Sequence, residues 1–326
     1  MKYDNGSAFR RALEDRLRTE SLQTGMHLTR LRKMVAFDRY LARLVKDQPG
    51  RWILKGGLAL QLRLGAASRT TKVIDVLLLD SGLDISLVLQ QAGAVELEDW
   101  FLFEVGKAEA GPDEPGGQRY PVRAILDSRP FETFHIDIGI NDPLVEPPVQ
   151  LVTPGLLAFA GIQPTTIPCY PVTKQIAEKL HAYTRLHTSG ESSRVKDFVD
   201  MILMAALAEI QADKLRQALA ATFSQRGTHP LPNQLPPPHE IGKHPTKSWQ
   251  GNRDSVRYVR GAPRHRVFFI IFRTAKPSSD FCTLLQINRD ARLRHCQSKQ
   301  PIKWAVRGCL AQLAFGVEVE AGKYGL

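Results

Sequence analysis

Residues 54–80 read LKGGLALQLRLGAASRTTKVIDVLLLD. At its leading edge, WILK (52–55) is short and apolar enough to start a strand, and Gly56-Gly57 ends it. LALQLRL (58–64) has the pattern of the first turns of a helix, and VIDVLLL (73–79) reads as a second strand with one carboxylate, Asp75. A glycine turn matters here because its N–H groups can approach a phosphate with no Cβ in the way. Side chains alternate along a strand, so Asp75 shares its face with residue 73, which is Val73. The stretch is either an ordinary buried strand or a metal-binding strand short of one of a pair of aspartates.

Outward from it, residues 7–48 read as helices, with Phe9, Leu13, Leu17, Leu28, Leu31, Val35, Phe37, Leu41 and Leu44 at about helical spacing. DQPG (47–50) is the break, since Pro49-Gly50 favours a turn. Downstream, Asp84 is placed to N-cap the helix ISLVLQQAG, and WFLFEVGKA (100–108) is a third strand. QRYPVRAIL and FETFHIDIGI, within 118–140, read as two strands about a turn at Asp127–Pro130. The mixture predicts an α+β domain with a mixed sheet, not a regular βαβ array.

The second half changes character. Ile176, Leu180, Tyr183 and Leu186 share a helix face, HTSGESS (187–193) is a polar break, and RVKDFVDMILMAAL (194–207) and DKLRQALAATF (213–223) are two more amphipathic helices. Prolines forbid continuous helix over 229–248, and periodicity is lost beyond. The expected organisation is N-terminal helices over 1–50, a core over 51–150, a helical domain over 151–228, and a Pro-rich linker with an atypical basic tail over 229–326.

Composition narrows the function classes. The chain has 326 residues, 43% hydrophobic, and no apolar run near the ~18–20 residues that span a bilayer. Its start, MKYDNGSAFRRALEDRLR, has no apolar stretch of the secretory kind, so a cytoplasmic location without membrane partners is expected. Four cysteines at wide spacing match neither a disulfide framework nor a zinc signature. The net charge of +11 is unevenly spread: residues 231–326 hold 16 Lys/Arg against 6 Asp/Glu, and residues 1–230 hold 28 against 27. The basic character that invites a nucleic-acid reading thus belongs to the tail.

Three features carry candidate chemistry. Gly56-Gly57 precedes Asp75. Asp137 lies inside the apolar strand HIDIGIND, where a carboxylate is costly unless a cation or donors pair with it. Lys174, Glu178 and Lys179 lie on one helix, and Asp197 and Asp200, three apart, share a face of the next. If Asp75 and Asp137 lie on adjacent strands, a divalent metal would relieve their repulsion. Paired acids, a phosphate-approaching turn and lysines for a triphosphate are the parts of metal-assisted nucleotidyl transfer. Each part also has an inert account. The glycines can form a simple turn, Asp75 can face solvent, and His135 can pair with Asp137. The helix charges can be a solvated surface.

The segments ALEDRLR, LRKMVAFDRYLARL, WILKGGLALQLRLG, RTTKVIDVLLL, KQIAEKLHAYTRL and RVKDFVDMILM together resemble the AbiEii-type nucleotidyltransferase toxin family, which includes the mycobacterial MenT toxins. The likeness runs from about residue 7 to about 239, roughly seven-tenths of the chain. It implies a nucleotidyltransferase core of the DNA polymerase β type with a helical C-terminal half. It also implies NTP as substrate, Mg²⁺ as cofactor, the 3′ end of tRNA as acceptor and an AbiEi-type antitoxin as partner. By motif, Gly56 and Gly57 match the family's glycines, Asp75 the second aspartate of its Asp-x-Asp, and Asp137 the third acid. Asp75 and Asp137 are then the metal ligands. Lys174 and Lys179 match the lysine motif that positions the nucleotide, and Asp197 and Asp200 the Arg/Lys-Asp-x-x-Asp motif, either acid serving as base or orienting group.

Two departures stand out. Where the family has Thr-Lys-Asp-Ile-Asp, this chain has Thr71-Lys72-Val73-Ile74-Asp75, and valine offers a metal no oxygen. Reduced transfer activity is expected. The tail after about 240 does not align with a helical ending; it reads as a frame change or fusion, or as a basic arm for tRNA phosphates. Two rival functions remain open: a degenerate relative that binds nucleotide, RNA or antitoxin without catalysis, and an enzyme that nucleotidylates a protein or small molecule.

Overall fold

A computed structural model describes residues 2–235, apart from 66–67, 80–81, 83, 111–116, 141, 186–194, 208–209 and 234. The break expected at 187–193, and the Pro-rich linker and tail except for 229–233 and 235, lie outside the described residues. The chain divides into two units. One comprises Met1–Asp142 with Pro148–Tyr170, and the other Pro143–Pro147 with the residues from Pro171 on.

The first unit opens with α1 (Gly6–Thr24), whose first turn is capped by Asn5 accepting from the Ala8 N–H at 2.8 Å. α2 (Leu28–Asp47) follows. Then come β1 (Trp52–Lys55), α3 (Gly56–Leu64), β2 (Val73–Leu78), α4 (Ile85–Ala94), β3 (Phe101–Val105) and the two-residue β4 (Glu109–Ala110). β5 (Gln118–Leu126), β6 (Arg129–Ile140), β7 (Val149–Val152) and β8 (Thr166–Cys169) complete it. Asp84 caps α4 as expected, its carboxylate accepting from the Leu87 N–H at 3.2 Å. The two glycines do more than end β1: α3 begins at Gly56 itself. β7 and β8 were not foreseen.

Among the described residues the strands form one mixed sheet in the order β3-β5-β6-β2-β1-β8-β7, with β4 beside β5. β2 pairs with β6 in parallel and with β1 antiparallel, so β2 lies between the two strands that carry Asp137 and Lys55. β5 and β6 form a hairpin closed by Asp127 and Ser128, both at positive φ (51° and 57°), the geometry whose twist matches the flanking strands. A bulge between Ala124 and Ile125 then shifts the hairpin register by one residue.

The alternation of the central strands divides the sheet into two faces. Ile74 and Val76 of β2, and Phe134, Ile136 and Ile138 of β6, are buried in the core with Phe37, Tyr40 and Leu41 of α2. Phe134 meets Phe37 edge-on with ring centroids 5.2 Å apart, an arrangement favoured by the aromatic quadrupoles. The intervening residues Val73, Asp75, His135 and Asp137 are half-buried, on the opposite side. That second side carries the candidate site.

The second unit contains α5 (Val172–Thr184), α6 (Val195–Leu207) and α7 (Ala212–Arg226), with α5 packed on both others. Ile176, Ala177, Leu180 and Tyr183 of α5 are buried, as are Leu215, Ala218, Leu219 and Phe223 of α7. No helix among the described residues is long and apolar enough to cross a membrane.

Candidate active site

The site in the first unit is built where β1 turns into α3. Gly56 has φ of 62°, a conformation that a residue with a Cβ adopts only with strain. A Cβ there would also collide with the Asp75 carboxylate. Asp75 Oδ2 accepts from the Gly57 N–H at 3.3 Å, so an acid from β2 satisfies one of the four N–H groups that a helix start leaves open. It also places negative charge at the positive end of the α3 dipole. Gly57 is close-fitted too: a Cβ would lie 3.1 Å from Thr71 Oγ1. That hydroxyl bonds the Val73 carbonyl (3.1 Å) and accepts from the Val73 N–H (3.2 Å), shaping the entry to β2. The Gly-Gly pair is therefore a fitted seat for Asp75.

Sheet pairing aligns four charged residues across four strands. Arg119 of β5 pairs with Asp137 of β6, Asp137 with Asp75 of β2, and Asp75 with Lys55 of β1. The two acids expected to meet are brought to adjacent register positions on one face. Asp137 is held by Arg119 in a two-pronged ion pair, Nε to Oδ1 at 2.7 Å and Nη2 to Oδ2 at 2.6 Å. Its partner is this guanidinium, not the His135 imidazole considered from sequence. Lys55 reaches Asp142 at 3.2 Å, and a Cβ at residue 139 would strike its ammonium, so Gly139 keeps that path open. Asp142, buried, also accepts from the Tyr170 hydroxyl at 2.8 Å.

Arg119, Lys55, Asp142 and Tyr170 were missed by reading the sequence. For Arg119 a signal existed in its position on the hairpin. However, a regular two-residue turn would set Gln118 opposite Asp137; only the bulge sets Arg119 there.

The second unit holds the remaining candidates. Lys179 of α5 bridges Asp197 (2.9 Å) and Asp200 (2.7 Å) of α6, all three largely buried. The shared face of the two acids thus meets one ammonium. Lys174 faces another way: it pairs with Glu178 at 2.7 Å and donates to Thr222 Oγ1 of α7 at 3.2 Å. Arg226 meets the other oxygen of Glu178 at 2.9 Å. The lysines are thus held in two clusters, one toward α6 and one toward α7.

The residues present do not fit a resident pair of divalent cations. Val73 offers no oxygen beside Asp75, and both oxygens of Asp137 are committed to Arg119. Among the described residues no group of three carboxylate, imidazole or thiol ligands is placed to hold a metal.

A family model described as "Nucleotidyl transferase AbiEii toxin, Type IV TA system" matches residues 39–281. The chain belongs to this nucleotidyltransferase toxin family. The match begins later than the sequence resemblance, which starts near residue 7, and runs past residue 239 into the basic tail. The chain is accordingly a nucleotidyltransferase of a toxin–antitoxin system, a family that implies an antitoxin partner. No protein of curated function matches it. Among solved structures, MenT4, a nucleotidyltransferase toxin from Mycobacterium tuberculosis H37Rv, is similar at 18% identity and a TM-score of 0.49, over 67% of this chain and 75% of that one. JHP933 from Helicobacter pylori is similar at 15% identity and a TM-score of 0.38, over 69% and 88%. An antigenic nucleotidyltransferase-like protein from Paracoccidioides brasiliensis is similar at 16% identity and a TM-score of 0.37, over 60% and 88%.

Proposed function

We propose that this AbiEii nucleotidyltransferase moves a nucleotide from NTP to the 3′ end of tRNA, at a rate limited by Val73. The observation that carries the reading is the Asp75 carboxylate seated on the Gly57 N–H at the start of α3, in register with Asp137. In the transfer, an acceptor hydroxyl oxygen attacks the α-phosphorus, the bond to the β-phosphate oxygen breaks, and pyrophosphate leaves. Asp75 takes the Gly57 N–H, and the other N–H groups that open the α3 helix are the backbone donors for phosphate oxygens. Within the second unit, Lys179 is held by Asp197 and Asp200 and Lys174 by Glu178; their role in positioning the nucleotide rests on the family's lysine motif. Mg²⁺ enters this reading only as the counter-ion that travels with the triphosphate. Choice of tRNA rests on family likeness; the near balance of charge over residues 1–230 adds nothing to it.

Incubation of the purified protein with Mg²⁺, labelled nucleotides and total tRNA tests this. Asp75→Asn and Lys179→Ala should each lower transfer by roughly 10²–10³-fold, the cost of losing one preorganised charged group. Val73→Asp should raise transfer by at least about tenfold, as an added carboxylate does for a hard cation. Wild-type activity equal to that of Val73→Asp would sink the claim that Val73 limits the rate, and undiminished transfer by Asp75→Asn would sink the site. The second reading, a relative that binds nucleotide without transferring it, is favoured by Val73 itself. It predicts nucleotide binding with no labelled product from wild type or Val73→Asp.

A further inference from the structure

The acid pair of this site is neutralised by the protein. Asp75 and Asp137 are register neighbours on parallel strands, an arrangement that is unfavourable unless cations lie close. A bound metal is one solution. This chain has another: the Arg119 guanidinium lies one strand over and occupies both oxygens of Asp137 with two short, parallel hydrogen bonds. Asp75 is met by the N–H end of α3. Next along, the Lys55 ammonium is already matched by Asp142. Val73 then takes away the oxygen that would let a cation bind on β2 without Asp137.

We propose that Arg119 is a built-in counter-ion and positioning residue for Asp137, so that the empty-handed enzyme keeps no divalent cation at this acid pair. The guanidinium is fixed by covalent chain and hairpin register, so it holds Asp137 in one orientation whatever the metal concentration. A divalent cation would have to strip both hydrogen bonds from Asp137 and would gain only one further carboxylate. Divalent cation therefore reaches the site with the nucleotide, coordinated by the triphosphate. The inference rests on the nucleotide-transfer reading of the same site, yet it makes a claim about metal alone.

The test is a Mn²⁺ titration of the full chain without nucleotide, followed by electron paramagnetic resonance. It compares wild type with Arg119→Gln, Val73→Asp and the double variant, with circular dichroism as the check on folding. Wild type should bind no Mn²⁺ that Asp137→Asn abolishes. The double variant should bind one equivalent at least about tenfold more tightly than either single variant, because ligand number and charge set the affinity for hard cations. Stoichiometric Mn²⁺ on wild type, lost in Asp137→Asn, overturns the proposal. So does a folded double variant that binds no better than wild type. If the double variant fails to fold, wild type against Asp137→Asn decides alone. Failure of tRNA labelling would count against the proposed function and leave this titration unchanged.

Discussion

Gly56 is held at φ of 62° with the Asp75 carboxylate where a Cβ would stand. Two separate penalties therefore meet any side chain at this position, one conformational and one steric. Gly56→Ala should destabilise the first unit by about 1–3 kcal/mol, the usual cost of a residue forced into a disfavoured backbone region. It should also displace Asp75 from the Gly57 N–H. Urea unfolding reads the first effect and nucleotide transfer the second. Gly57→Ala should be milder, because its 3.1 Å contact is with a threonine side chain and its backbone is helical. At this same scale, the shared face of Val73 and Asp75 was legible from alternation alone. The fork from Arg119 was not, because residue type gives no account of which side chains become neighbours.

Elements of the first unit are tied by buried charge as well as by the apolar core. Arg43 of α2, fully buried, holds Asp99 through two bonds of 2.9 and 2.7 Å and donates to the Phe101 carbonyl at 2.7 Å, fastening α2 to the start of β3. Asp38, five residues earlier on the same helix, takes Arg39 at 2.6 Å and accepts from the Thr165 N–H at 3.1 Å and the Thr153 hydroxyl, fastening α2 to the β7–β8 segment. Arg43→Leu takes the two-pronged partner from buried Asp99, leaving it Arg39 at 3.7 Å and the Phe101 N–H, and should cost about 3 kcal/mol in urea unfolding. Arg43→Leu combined with Asp99→Leu should be markedly less destabilised than the single change, since the stranded charge is gone. The helices and the β5–β6 hairpin were readable because period, capping and turn chemistry are local. β7 (VQLV) and β8 (TIPC) were not, being four residues each and including Pro168; they exist because they pair with one another and with β1.

Taken as a whole, the protein should lose stability in mild acid through the second unit. Burial, then the neighbouring His229, lowers the pKa of His181 from 6.5 to about 4; Arg226 and Arg185 act the same way and Glu178 opposes them. The ring is held at Thr228 Oγ1, 2.8 Å from Nε2, and lies 4.7 Å from the His229 ring. A histidine kept neutral in the folded state binds fewer protons than in the unfolded chain, so stability rises with pH between the two pKa values. The contribution is therefore complete above 6.5 and is lost as pH falls toward about 4. Thermal melts across that window should show a falling midpoint, and His181→Gln should flatten the slope. An equal slope in the variant would remove His181 as its source.

What could be read from the chain was every feature with a short-range cause. The strand, Gly-Gly, helix and strand of 52–78, the side on which Asp75 and Val73 lie, the Asp84 cap and the hairpin turn all follow from local sterics and periodicity. Which charges meet could not be read so. Asp137 comes to Asp75 through parallel pairing of strands far apart in sequence, and Arg119 comes to Asp137 through a bulge that moves the register by one. A one-residue shift reverses every side chain in a strand, and nothing in a strand's own period specifies it. The motif was thus written locally, while its charge balance, and with it the reading of this site as metal-poor, depended on how the sheet paired.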